Sequence, residues 1–204
     1  MGTANRYLHK LSCAEFRALL KKRYGDDCLA IKAYDYLCDN MNKEKGFIRK
    51  FSGEDYFIHP QAVAELLIEK VDATEICTII ALLHDCIEDM EEGTESEIRD
   101  IFGDEITYKT LLVTKKNDMD YHIQENLYSY LMKTLEAEEA VLVKLADRMN
   151  NNSTLSGASE SKRKKKTEET VKYFVPLAQE ARKAYPHNSN FYTEAENFFM
   201  QDID

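Results

Sequence analysis

The chain has 204 residues and carries 37 acidic against 27 basic side chains, a formal net charge of −10. That balance argues against broad nucleic-acid binding through a basic surface, and no apolar run approaches the length of a membrane span. With no secretory signal, repeat or long low-complexity linker, the expectation is one cytoplasmic domain over residues 1–204. Seven Gly and three Pro are few, and amphipathic stretches outnumber strand-like alternation, so the expected fold class is all-α. Five cysteines at 13, 28, 38, 77 and 86 form no Cys-x-x-Cys, which predicts reduced thiols acting as small core residues.

In chain order, the pattern predicts a helical pair over roughly residues 10–42 and then an irregular loop carrying Arg49 and Lys50 as far as Ile58. A helix follows from Pro60 to Lys70, with proline at its first position. Asp72, three residues before Glu75, predicts the N-cap of the next helix. Gly93 and Thr94 mark a turn. Further helices are expected at about 95–102, 104–113, 121–135, 137–150 and 161–184. The tail from Asn190 to Asp204 predicts an acidic helix docked through Phe191, Tyr192, Phe198 and Phe199. The run Lys162-Arg163-Lys164-Lys165-Lys166 has Glu168 and Glu169 at helical spacing from Lys164 and Lys165, which favours a solvated helix face over a nucleic-acid patch.

The segment from Ala81 to Asp89 carries the chemistry. His84 and Glu88 are four residues apart, as are Asp85 and Asp89, within a helix that Ile76, Cys77, Ile79, Ile80, Leu82, Leu83, Cys86 and Ile87 make apolar on almost all sides. Ionised carboxylates there need a cation or hydrogen bonds to offset desolvation, so a metal site and a structural ion network are both open from this segment alone. His59 upstream and Asp147 downstream extend the set to two imidazoles and two carboxylates. Such a mixed nitrogen and oxygen set suits Mn, Fe, Zn or Mg and is unlike a thiolate zinc site.

The order and context of these motifs resemble the HD metal-dependent phosphohydrolases. More narrowly, they resemble the hydrolase domain of the RelA/SpoT family and its stand-alone small alarmone hydrolases. The matching residues are Arg49-Lys50 before Ser52-Gly53-Glu54, His59-Pro60-Gln61-Ala62-Val63-Ala64, Leu82-Leu83-His84-Asp85 with Glu88-Asp89, Val113-Thr114-Lys115, Lys144-Leu145-Ala146-Asp147-Arg148, Thr154-Leu155 and Tyr173 with Pro176-Leu177-Ala178. The resemblance covers about residues 45–180 and implies a single helical HD-type hydrolase domain, with the terminal helices packed on it.

What the resemblance implies is metal-dependent removal of the 3′-pyrophosphate from (p)ppGpp, with a small nucleotide as substrate and neither nucleic acid nor membrane as partner. His59, His84, Asp85 and Asp147 would ligate Mn²⁺, and Glu88 and Asp89 would orient water and manage protons. Arg49 would lie on the nucleobase, Lys50 and Ser52 would line the base and ribose end, and Arg148, Asn151 and Thr154 would contact the nucleotide. No room remains for synthetase, regulatory or ribosome-binding regions, so alarmone degradation without synthesis is expected. The family usually has Leu-His-Asn after Asp-Arg, where this chain has Met149-Asn150-Asn151. The Arg-Lys loop has an extra Phe51, and Asp55 replaces the usual proline. These departures leave open ppApp or the 2′-phosphate of NADPH as substrate. A generic HD nucleotidase and a nucleotide-binding regulator or antitoxin are the other readings, and the oligomeric state is not given by the sequence.

Overall fold

The computed structural model describes residues 7–8, 10–50, 52–91 and 93–201, which leaves Phe51 of the altered loop outside the described residues. Among these residues the chain is helical without a strand, and Ile48 and Asp55 form an isolated antiparallel bridge across the Arg-Lys loop. Helix α1 (Cys13–Tyr24) opens with a reciprocal cap: the Glu15 amide donates to Ser12 Oγ, and the Ser12 amide donates to Glu15 Oε2 at 2.8 Å. It pairs with α2 (Leu29–Asn40), as the sequence predicts.

The centre is built from α3 (Ile58–Val71), α4 (Glu75–Leu83) and α9 (Glu138–Ser153). α4 touches α2, α3, α7 (Asp104–Val113) and α9, which explains why every residue from Cys77 to Leu83 is buried and why its sequence has no polar face. α5 (Cys86–Asp89), α6 (Thr94–Phe102) and α8 (Gln124–Lys133) complete the shell. α10 (Glu160–Glu169), α11 (Val175–Ala184) and α12 (Ser189–Gln201) form the C-terminal layer, with α11 and α12 packed together and against α9. As expected, Phe191, Tyr192, Phe198 and Phe199 are buried. All five cysteines are free, and Cys77 and Cys86 lie in the core.

Four local expectations need correction. Helix α3 starts at Ile58, so Pro60 is its third residue; it is tolerated because first-turn amides lack helical partners anyway. Thr74, not Asp72, caps α4 through its hydroxyl, which accepts from the Cys77 amide at 3.2 Å. Asp72 instead closes α3 with a positive φ of 53° and pairs with Arg23. The His-Asp helix is not continuous: α4 ends at Leu83, and His84 and Asp85 form a break before the single turn of α5. An Asp89 amide to Asp85 carbonyl bond of 2.9 Å nevertheless keeps those two residues one turn apart. Finally, the long helix over 161–184 contains a π-helical segment, Thr170–Phe174, whose extra residue shifts the register between α10 and α11.

Phe199 is fully buried on α12, with its ring 6.1 Å from Phe174. Phe199→Ala is expected to lower the unfolding free energy by about 3–5 kcal/mol through lost contact and a residual cavity, measured as a fall in urea midpoint at constant slope.

Candidate active site

Three elements bring the four donors together. The first turn of α3 supplies His59, the break after α4 supplies His84 and Asp85, and the middle of α9 supplies Asp147. His59 Nε2 lies 3.1 Å from Asp147 Oδ1 and 3.6 Å from Asp85 Oδ2. His84 Nε2 lies 3.2 Å from Asp85 Oδ2 and 3.9 Å from Asp147 Oδ1. Donor atoms of His59, His84 and Asp85 all fall within 4.8 Å of one another.

The far side of each imidazole is engaged. His84 Nδ1 donates to the Ala81 carbonyl at 2.8 Å, and His59 Nδ1 donates to Asn150 Oδ1 at 2.7 Å. Both Nε2 atoms are then left facing carboxylate oxygens, and the buried His84 Nε2 has no hydrogen-bond partner among the described residues. Two lone pairs aimed at two carboxylates would repel unless a proton or a cation lay among them. Without a cation the site meets that demand by protonation: burial pulls the His84 imidazolium down, but the Asp85 and Asp147 carboxylates outweigh it and raise its pKa to about 9. Burial pushes Asp85 up, and the two imidazoles more than reverse it, leaving its carboxyl below the ordinary range. The donor set fits a divalent cation, which would replace the proton and satisfy the orphaned nitrogen.

The surroundings include groups the sequence reading missed. Lys144 is buried with its Nζ 3.3 Å from Asp147 Oδ2 and 5.3 Å from the centre of the Tyr130 ring. Burial opposes the Asp147 charge, yet Lys144 and the imidazoles hold that carboxyl well below its usual value. The Tyr56 hydroxyl donates to Asp85 Oδ2 at 2.9 Å. Lys144 was detectable as a charge three residues before Asp147 on an otherwise apolar run; the contacts of Tyr56, Asn150 and Tyr130 are long-range and had no local signal.

His59, Asp89 and Asp147 open onto a cavity of 1060 Å³ that Arg49, Lys50, Ser52, Asn151 and Thr154 also line. Arg49 lies over the Tyr56 ring, its Cζ 5.7 Å from the centre, and its NH2 reaches Asn151 Oδ1 at 3.5 Å and Thr154 Oγ1 at 3.4 Å. Arg148 borders the cavity too, but its NH2 bonds Glu169 Oε1 at 2.7 Å and its guanidinium covers Phe174 at 4.1 Å. Glu88 and Asp89 diverge: Glu88 Oε2 accepts from the Lys115 amide at 3.0 Å, whereas Asp89 faces the cavity. Partial burial, aided by the Asp85 and Glu88 charges, raises Asp89 to about 6. The basic run is only partly a solvated face. Lys162 to Lys165 are exposed, but Lys162 and the half-buried Lys166 also line the cavity, and Glu169 pairs with Arg148 and Lys166 instead of Lys165.

A sequence profile for the HD domain matches residues 38–181. The chain is 38% identical over 165 residues to a GTP pyrophosphokinase of Brucella ovis, covering 77% of this chain and 21% of that protein. It is 36% identical over 149 residues to a guanosine-3′,5′-bis(diphosphate) 3′-pyrophosphohydrolase of Aquifex aeolicus, covering 72% and 20%. The chain thus spans about a fifth of the length of these relatives. A solved structure described as a metazoan orthologue of SpoT that hydrolyses ppGpp and plays a role in starvation responses superposes with a TM-score of 0.68 at 19% identity, covering 86% of this chain and 96% of that one.

In metal-free protein, Lys144→Met leaves Asp147 without its buried cation and is expected to lower stability by about 3–5 kcal/mol. The double variant Lys144→Met/Asp147→Asn should lose less than the single, a comparison that denaturant unfolding of both proteins checks.

Proposed function

The chain belongs to the HD-domain family, and we propose that it hydrolyses the 3′-pyrophosphate of (p)ppGpp, releasing pyrophosphate and GDP or GTP, as a RelA/SpoT-type hydrolase domain. The observation that carries this reading is the pair of imidazoles whose Nε2 atoms face Asp85 and Asp147 beside a cation-lined cavity of nucleotide size. The activity named for the Aquifex relative supports the choice of substrate. His59, His84, Asp85 and Asp147 would hold the divalent cation, and Mn²⁺ is the assignment that best joins the mixed donor set to the family resemblance. When bound, the cation supplies Lewis-acid polarisation of a phosphoryl oxygen and lowers the pKa of water.

The residues then divide the remaining work. Arg49, lying over Tyr56 and within reach of Asn151 and Thr154, presents its guanidinium to the nucleobase, and Lys50 and Ser52 line the ribose end. Lys115, Lys162 and Lys166 face the phosphate chains, with Arg148 shared between them and Glu169. In the reaction, a water oxygen bonds to the phosphorus attached to the ribose 3′-oxygen and the P–O3′ bond breaks. One water proton must reach O3′. Asp89, poised near pH 6 at the cavity wall, carries that proton from the attacking water to the departing oxygen. Glu88 orients this step indirectly, by holding the Lys115 backbone that forms one wall of the cavity. The five free thiols agree with a reducing, cytoplasmic setting for a nucleotide hydrolase.

Purified protein with Mn²⁺ should release pyrophosphate and GDP from ppGpp, with parallel reactions on ppApp and NADPH setting base and phosphate preference and a chelated sample losing all turnover. Turnover of simple nucleotides with none of these three would overturn the proposal in favour of a generic nucleotidase, and nucleotide binding without turnover would point to a regulator. Asp85→Ala should abolish turnover together with metal binding. Asp89→Asn should retain the metal while slowing kcat by about 10²- to 10⁴-fold, and full activity in that variant would remove Asp89 from the proton path.

A further inference from the structure

We propose that Asn150 and the Tyr7 segment form a positioning relay that fixes His59 in a single tautomer, with its Nε2 lone pair aimed at the metal-binding cluster. The inference rests on the reading of His59 as a metal ligand. Asn150 follows Asp147 by three residues on α9 and is 2% exposed, its amide held at both ends. Its Nδ2 donates to the Tyr7 carbonyl at 2.5 Å. A carbonyl accepts and cannot donate, so the amide nitrogen must face Tyr7 and the amide oxygen must face His59. That oxygen also accepts only, so His59 Nδ1, 2.7 Å away, must carry the ring proton. With the ring neutral, as a ligand must be, Nε2 is then the lone pair, and it lies beside Asp85 and Asp147 where a cation would meet it.

The Tyr7 carbonyl is itself fixed in place. The Tyr7 hydroxyl donates to Glu194 Oε1 at 2.9 Å, its ring meets Phe198 edge-on at 4.8 Å, and Glu194 Oε1 lies 3.0 Å from Lys70 Nζ at the end of α3. Tyr7, Glu194 and Phe198 all lie outside the span 38–181 that the HD profile matches. Segments at both ends of the chain therefore set the protonation pattern of a donor within the family core. Asn150 and Tyr7 touch neither substrate nor cation in this account; they act through His59.

The test measures Mn²⁺ and Zn²⁺ affinity of the full chain by competition with a chelator, beside its melting temperature and the ¹⁵N histidine spectrum of the metal-free protein. Asn150→Leu should weaken metal binding by about 10- to 100-fold, the usual effect of losing the partner of a ligating histidine. Tyr7→Ala should weaken it in the same direction, and the double variant should bind no more weakly than Asn150→Leu alone, because both changes act through one amide. The parent should show His59 protonated at Nδ1, and Tyr7→Ala should show a mixture of tautomers. If Asn150→Leu does not fold, the affinity and spectrum of Tyr7→Ala decide the question. A Tyr7→Ala protein with a lower melting temperature but unchanged metal affinity and His59 spectrum would overturn the relay. If the parent binds no metal, or His59→Ala binds it as tightly as the parent, the ligand assignment fails first and takes the relay with it.

Discussion

The structure depends on one electrostatic constraint: two imidazole nitrogens and two carboxylates converge where the chain is otherwise apolar. His59 and His84 are almost fully buried, and each has its Nδ1 committed to an acceptor, so neither ring can turn away from Asp85 and Asp147. Such a cluster is unstable as a set of unpaired charges in a low-dielectric interior. It persists because every charge has an answer nearby: Tyr56 and the His84 imidazolium for Asp85, and Lys144 and the two rings for Asp147. The break between α4 and α5 lies at this same convergence. Continuing α4 unbroken through His84 and Asp85 would tie their orientation to the helix surface, whereas the turn brings the His84 ring and the Asp85 carboxylate onto the same point as His59 and Asp147.

An acidic chain that is to hydrolyse a polyphosphate, as proposed, must segregate its charge. The net charge is −10, yet the cavity wall gathers Arg49, Lys50, Lys115, Lys144, Lys162 and Lys166. Placing that many cations together would itself be unfavourable, and Glu169 moderates it by bonding both Arg148 and Lys166. The π-helical segment that follows places Phe174 beneath the Arg148 guanidinium, so an irregular stretch of backbone and one carboxylate jointly anchor a cation at the cavity edge. For the proposed anionic substrate, long-range attraction then comes from the cavity and not from the surface as a whole.

How much of this was legible in the sequence follows from the range of the interactions. The all-α class and most helix positions could be read because amphipathic spacing is local, and the four donors because their residue types sit in a recognisable order. The break after Leu83 could not be read: His84 and Asp85 have no helix-breaking residue beside them, and both keep right-handed helical dihedrals through the turn. Asp72 looked like an N-cap because acceptor side chains favour that position, but the chain needs a left-handed residue to close α3 there and Arg23 is near enough to pair with it. The basic run read as a uniform solvated face since charge pattern gives spacing and not direction; in the structure Lys162 stays exposed at the cavity rim, and Lys166 is the one member of the run that is partly buried.

Position 150 joins these strands. By sequence it was a departure from the resembling family, Asn where histidine is usual. By structure it sits on the opposite side of His59 from the carboxylates, and its amide accepts from the imidazole while donating to a backbone carbonyl. A histidine in the same place could also do both, through its two ring nitrogens, but only as one tautomer. The change therefore alters how His59 is supported and leaves the four proposed ligands in place. Loss of a familiar residue beside a metal site is thus not by itself evidence of lost chemistry; what must be preserved is a group that accepts the Nδ1 proton and is itself held from behind, which here is done by a segment outside the family core.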